Sequence, residues 1–427
     1  MRIFTKNHRV LNFAGLLAGF GLGQGSLFVV QTWLLATDHV TFLGHFSFIF
    51  TMVILAYQAI DLGGLVILAR RVAADEESSA HDLSTFYWSF SLVRFIIALL
   101  LAVAAACWWV GDPMGFSSSY TGAATLGLIV FSLNPGGLLD GYNKSGWSGA
   151  TWALPFVASA IALPFCPELR PGQAGFILGG ALSVGAIFAV VGQYVILHRH
   201  GARPLWRRPN SLAMRATGRE ALLYMIGWLP GQLYFRGQIA LAMALLGPVP
   251  TALIVYAKQV VMSSTRFLYF ARRIEYPNLV KQLADGQRLV YKILTIQRIS
   301  LYMGVVGMLG LAGFGIALHF AFPGQLKGAG LIIALFAPIV LTASVNATFM
   351  QACYAMKRTG DSAWTAILIA TAGLALQAIL TPFFGMAGIA LAEGLCQLGG
   401  AGLIVLVLSE RIRFAQGSKR AQKAHTD

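Results

Sequence analysis

Charge is what this 427-residue chain lacks most. Charged residues make up 11% of it and apolar residues 57%, against about 25% and about 45–50% in soluble domains. So little polar surface cannot cover a water-facing globule, which excludes an ordinary soluble enzyme. Acidic residues are the scarcer sign: 16 Asp and Glu stand against 31 Lys and Arg, for a formal charge of +15. Cysteine is rare too. Cys107, Cys166, Cys353 and Cys396 each fall inside an apolar stretch with no Cys-x-x-Cys spacing, which argues against a disulfide or zinc framework. There is no Walker A sequence, so ATP is not the direct energy source. The eight histidines form no metal-spaced pair.

What the chain has in quantity is long apolar runs and 47 glycines, a combination usual in membrane helices. About 20 apolar residues span the hydrocarbon core. Twelve runs qualify, near 10–35, 41–69, 85–110, 121–143, 147–166, 173–197, 220–246, 250–270, 291–322, 328–356, 362–382 and 386–410. Buried helices of a large soluble protein would need long polar faces between them, and those are missing. The first run follows Arg2, Lys6 and Arg9 in the manner of a signal peptide, yet it exceeds the ~7–15 residues of an h-region. It predicts an uncleaved first helix.

Orientation follows from the basic residues. Of the 31, only Arg170 and Lys327 fall in one set of loops, while Arg94, Arg236, Lys258, Arg266 and Arg298 lie within spans; all the others flank the opposite side. That asymmetry places both termini in the cytoplasm and accounts for the net charge without nucleic acid. The outer loops are too short to fold as a catalytic domain. The stretch 199–219 is basic and carries Pro204 and Pro209. It reads as a linker between an N-terminal lobe, 1–198, and a C-terminal lobe, 220–410, with a basic tail over 411–427.

The two lobes look duplicated. Ala69-Arg70-Arg71 after span 2 matches Ala271-Arg272-Arg273 after span 8. In near register, Arg94 in span 3 meets Arg298 in span 9, and Asn134-Pro135 in span 4 meets Ala337-Pro338 in span 10. An even number of spans per half makes the repeats parallel, about an axis along the membrane normal. The expected fold is all-α and polytopic: about twelve helices in two pseudo-symmetric six-helix lobes around a central cavity.

No motif specifies chemistry. Gly19-x-Gly21-x-Gly23-x-Gly25 superficially suggests a dinucleotide loop, but it sits inside span 1 with no preceding strand; close helix packing explains it better. Ionisable residues at depth are more informative, since each costs at least ~2.5–3.5 kcal/mol facing lipid. Arg94 lies roughly 14 Å into span 3 at 1.5 Å per residue, and Arg236 and Lys258 lie in the outer halves of spans 7 and 8. Arg94 and Arg236 are too deep to snorkel and read either as cavity groups or as halves of buried ion pairs. Arg298 and Arg266 allow snorkelling as well. Asp61 and Asp140 sit near cytoplasmic helix ends, where pairing with Arg70, Arg71 or Lys144 is the simpler reading. Glu393, about 10 Å into span 12, is the best candidate for ion or proton coupling. Five embedded bases against three acids suit an anionic substrate. Tyr224, Trp228 and Tyr234 on span 7 could offer platforms for sugar rings, although interfacial aromatics are the commoner explanation.

These residues carry a resemblance. Ile60-Asp61-Leu62-Gly63 closes span 2, followed by Ala69-Arg70-Arg71, Arg94, Asn134-Pro135 and Asp140-Gly141. Tyr234-Phe235-Arg236, Leu246-Gly247, Tyr256-Ala257, Pro277, Asp285-Gly286 and the run Gly385-Met386-Ala387-Gly388-Ile389-Ala390-Leu391-Ala392 continue it. Over nearly its whole length the chain resembles the Wzx-type flippases, the polysaccharide-exporter branch of the multidrug/oligosaccharidyl-lipid/polysaccharide (MOP) superfamily. The family often has an acidic residue shortly after the span-7 arginine; here Gly237-Gln238 follows, which leaves Arg236 freer for substrate.

The resemblance implies a MATE/MOP-like fold in a bacterial inner membrane and gradient-driven transfer of an undecaprenyl-pyrophosphate-linked oligosaccharide to the outer leaflet. Arg94, Arg236, Lys258 and Arg298 would be its anion contacts, with no cofactor or metal. Membrane lipids and, transiently, a polysaccharide polymerase would be partners. A cation-coupled drug or metabolite exporter of the same superfamily is the nearest rival. An O-antigen ligase or polymerase would need a large outer loop, and a peptidoglycan-precursor flippase would usually have two more spans.

Reporter fusions test the topology. Those after residues 36 and 247 should behave as external and those after 210 and 427 as internal; an external reporter at 210 would overturn the orientation.

Overall fold

The computed structural model describes residues 6–74, 80–283, 289–356 and 358–424. The side chains of Trp228 and Arg266, and of the 411–427 tail, lie outside the described residues. Regular structure among the described residues is helical throughout, as the sequence predicts. The chain forms two compact units, Met1–Leu229 and Pro230–Asp427.

The first unit contains α1 (Lys6–Ala36), α2 (Val40–Asp61), α3 (Gly64–Ala74), α4 (Ala80–Gly111), α5 (Phe116–Phe131), α6 (Gly136–Gly141), α7 (Ser145–Trp152), α8 (Leu154–Ala162), α9 (Pro171–Arg199) and the start of α10 (Ser211–Leu246). The second contains the rest of α10, then α11 (Pro248–Gln282), α12 (Leu289–Ile296), α13 (Arg298–Ala321), α14 (Gly324–Phe336), α15 (Pro338–Ala355), α16 (Thr359–Phe384) and α17 (Met386–Ala424). Among the described residues nine helical stretches are long and apolar enough to cross a membrane. The other three expected spans correspond to α5, which is shorter, and to α10 and α11, which carry the embedded bases.

The polarity of the fold is inverted relative to a soluble protein. Phe320 and Phe383 are 81% and 79% exposed, while Gln238 and Gln377 are fully buried. In hydrocarbon, apolar side chains belong outside and polar groups must find partners within.

Five spans that read as continuous are broken. Span 2 stops at Leu62 and Gly63, whose φ angles of 51° and 74° turn the chain between α2 and α3. Span 4 divides before α6, whose N-cap is Pro135, and span 10 divides at Ala337, with Pro338 opening α15. Proline lacks the N–H that continues a helix, so it separates segments where the apolar pattern runs on. The duplicated Asn134-Pro135 and Ala337-Pro338 therefore mark the same kind of break in each unit. Span 5 divides at Ala153 and span 9 at Gln297. The duplication is incomplete elsewhere: α4 runs unbroken through Arg94, and α11 has no counterpart of the turn at Leu62.

The division between units falls inside α10, at Pro230, not in the 199–219 stretch. Ser211–Leu229 belongs with the first unit, where Ala221 joins a core with Leu62, Tyr87, Phe90, Leu138 and Leu197. Arg70 at the end of α3 also pairs with Glu220.

The glycines of span 1 are a packing face. A Cβ on Gly19 would stand 2.4 Å from the carbonyl oxygen of Gly149, and Gly15 and Gly23 lie similarly against Gly146 and Ala153. Every fourth residue lets α1 meet the backbone of α7 and α8, as small residues do between membrane helices. Gly21, in the same motif, has nothing within 4 Å. Gly19→Leu should therefore lower the melting temperature of the detergent-solubilised protein by several degrees, the scale of a ~1–3 kcal/mol overpacking penalty. Gly21→Leu should leave it unchanged, and equal effects would contradict the packing.

Candidate functional site

In the first unit the embedded charges form one closed cluster. Arg94 is 0% exposed. It donates to Asp61 Oδ1 at 2.5 Å, to the Asn134 carbonyl at 2.9 Å and to the Ile60 carbonyl at 3.3 Å. The Phe90 and Phe131 rings lie 5.4 and 5.7 Å from it. Two broken helices explain the arrangement. The turn at Leu62-Gly63 leaves the last carbonyls of α2 without helical partners, and the break before Pro135 does the same for Asn134. One planar guanidinium reaches both ends and a carboxylate together.

This corrects the expected pairings. Asp61 pairs with Arg94 rather than Arg70, Arg71 or Lys144, because the αL turn folds it back toward α4. It also accepts the Leu65 N–H at 3.4 Å. Asp140, in α6, forms no ion pair with Lys144 or either arginine among the described residues, and it lies near Ser148 and Asp61. Nor does Arg298 share the surroundings of Arg94: it is exposed as the first residue of α13. The buried polar group at that level of the second unit is its neighbour Gln297, whose amide donates to Gln351 Oε1 at 2.6 Å.

Of the three aromatics considered as a sugar platform, Tyr224 and Tyr234 fall in different units and the side chain of Trp228 lies outside the described residues. Tyr224 packs over the bare α-carbon of Gly63 in the first unit. Tyr234 belongs to the second unit, buried with its ring against Gly373.

In the second unit the charges are arranged differently. Lys258, on α11 and 3% exposed, forms an ion pair with Glu393 of α17 at 2.7 Å. It also donates to the Gln238 side chain on α10. The Phe235 ring lies 5.1 Å from the Lys258 ammonium and 4.9 Å from the Arg236 guanidinium. Arg236 has a buried Nε with no hydrogen-bond partner and no carboxylate within ion-pair distance among the described residues. The two cations thus share one ring, while the carboxylate pairs with Lys258. The surplus is positive, and the carboxylate expected nearby in the resembled family is replaced by Gln238, which serves Lys258 instead.

Lys258 and Glu393 line a cavity of about 740 Å³ within this unit. Its wall is mainly apolar, with Phe336, Ile339 and Met350, and its polar lining adds Arg272, Thr265 and Ser344 to the amides of Asn346, Gln351 and Gln397. Asn346 donates to Gln397 at 2.6 Å, and Gln351 donates to the Arg272 carbonyl at 3.2 Å. The volume falls within the ~300–1,000 Å³ usual for small-ligand pockets. No group of His, Cys, Asp and Glu suited to a metal occurs among the described residues. Sequence reasoning picked out Lys258 and Glu393 by charge but missed Asn346, Gln351, Gln377 and Gln397. Neutral amides in apolar runs give no charge signal.

No protein-family model matches the chain, and no curated protein matches it. Solved structures do. An inward-facing multidrug resistance MATE family transporter of the MOP superfamily aligns with TM-score 0.71 at 12% identity, over 96% of this chain and 99% of its own. The fold is shared. The lipid II flippase MurJ in an inward closed conformation aligns with TM-score 0.66 at 13% identity, over 93% and 90% of the two chains. A MATE in complex with MaL6 aligns with TM-score 0.61 at 14% identity, over 97% and 100%. The chain has the polytopic membrane fold of these proteins, at identities that speak to fold alone.

The closed cluster around Arg94 has a direct consequence. Arg94→Ala removes the cation from the partly buried Asp61 carboxylate and the donor from two carbonyls, a loss of up to about 3–5 kcal/mol. It should sharply lower melting temperature and membrane abundance. Arg94→Lys, which cannot reach all three partners, should recover only part. Wild-type stability in Arg94→Ala would contradict the structural assignment.

Proposed function

We propose that the chain is a gradient-driven exporter or flippase of the cytoplasmic membrane, with both termini inside, and that its substrate is an anionic, lipid-linked oligosaccharide. The observation that carries this reading is the surplus positive charge in the second unit. Arg236 is partly buried, its Nε has no hydrogen-bond partner and no carboxylate among the described residues pairs with it, while Lys258 holds Glu393. A buried, unpaired guanidinium is costly, and an incoming phosphate or pyrophosphate would supply the bidentate partner it is built for. The amides of Asn346, Gln351 and Gln397 supply donors and acceptors suited to sugar hydroxyls. Glu393 would be released when an anion takes Lys258, which makes it the group best placed for proton or cation coupling. Arg298, being exposed, has a weaker claim as an anion contact, and Arg94 supports the fold rather than the ligand.

Export of a cationic drug would require the opposite imbalance, carboxylate in excess of base. The two readings separate in proteoliposomes holding purified protein. A fluorescent polyprenyl-pyrophosphate-linked oligosaccharide should be translocated under an imposed gradient without ATP, and a lipophilic cationic dye should not. Arg236→Ala should slow translocation by roughly 10- to 100-fold, equivalent to losing one charge-assisted hydrogen bond of ~1.5–3 kcal/mol, at normal protein abundance. Transport of the dye alone, or full activity in Arg236→Ala, would overturn the proposal.

A further inference from the structure

The 199–219 stretch is not a free tether. Its extended part is strapped along the first turns of α4. The Leu205 N–H donates to Ser84 Oγ at 3.2 Å, the Trp88 indole donates to the Leu205 carbonyl at 2.8 Å, and the Asn210 N–H donates to Ser89 Oγ at 3.0 Å. The Trp206 ring stands edge-on to Trp88 at 4.6 Å. Pro204 is buried beneath, and the Asn210 side chain accepts the Leu212 N–H at the start of α10.

This fixed strap turns an unusual set of side chains outward. Trp206 and Leu212 are 70% and 77% exposed, and Arg199, Arg203, Arg207, Arg208 and Arg215 are exposed with them. No acidic residue occurs between His198 and Arg219. Residues 84–89 lie within about 14 Å of the start of α4, at 1.5 Å per residue. That level is the headgroup layer, because the apolar part of this helix continues to Gly111. Basic side chains beside exposed Trp and Leu at that depth fit one surface: anionic phosphate above, acyl chain below.

We infer that the 203–212 strap is a binding site for anionic phospholipid headgroups of the cytoplasmic leaflet. Arg203, Arg207 and Arg208 take the phosphates, and Trp206 and Leu212 seat at the acyl boundary. The occupied strap is held against α4 and fixes the entry of α10. The site is independent of the transported substrate.

Hydrogen exchange on the peptide covering 199–212 tests this, using the full-length protein in nanodiscs of phosphatidylcholine with or without phosphatidylglycerol. Exchange should slow in the anionic discs, by about fivefold for each arginine engaged, the equivalent of ~1 kcal/mol per basic residue. The triple variant Arg203→Gln/Arg207→Gln/Arg208→Gln should lose that response while α4 keeps its protection. Trp206→Ala should weaken it. Equal exchange in both discs, an unchanged response in the triple variant, or the same slowing by inorganic phosphate in phosphatidylcholine discs would overturn the inference.

Discussion

Arg94, itself fully buried, satisfies three acceptors where two helices break, and the first unit is organised around that fact. A membrane helix can be broken only where its freed backbone groups find partners inside the protein. Here α2 ends at an αL turn, span 4 breaks before Pro135, and both ends deliver carbonyls to one guanidinium. Asp61 balances the charge. The second unit meets the same constraint by other means. At its break, Gln297 and Gln351 pair as neutral amides, and its buried charge lies elsewhere, around Phe235. The halves are thus alike in architecture and unlike in electrostatics.

Much of this was legible in the sequence. Apolar length located the nine stretches long and apolar enough to cross a membrane, and of the glycines quoted from span 1, Gly19 and Gly23 mark a face where backbones meet. The breaks were harder, because apolar residues continue across them; prolines at 135, 155 and 338 stand at three of the five. Depth along a helix shows that Arg94 is costly, but not what it faces. Its partners Asp61 and Asn134 lie 33 and 40 positions away, and only the fold shows that the motif pieces quoted separately are one cluster. Composition likewise described 199–219 as basic and proline-containing without revealing that its backbone bonds to Ser84, Trp88 and Ser89.

The second unit supports function through an imbalance left standing. Lys258 has Glu393, whereas Arg236 shares the Phe235 ring with it and pairs with no carboxylate among the described residues. A partly buried cation with an unsatisfied Nε makes physical sense if an anion visits the site, since the cost is relieved on binding. The cavity lined by Lys258 and Glu393, mainly apolar with amide, hydroxyl and charged groups, is compatible with the proposed amphiphilic substrate.

Equilibrium binding of polyprenyl ligands to the purified protein tests that claim most directly. A polyprenyl pyrophosphate and the corresponding neutral polyprenol share the same hydrocarbon and differ only in charge. The account predicts that the pyrophosphate binds at least tenfold more tightly, a difference of ~1.4 kcal/mol, and that Arg236→Gln removes most of the preference. Equal affinity for the two lipids, or a preference that survives in Arg236→Gln, would contradict it.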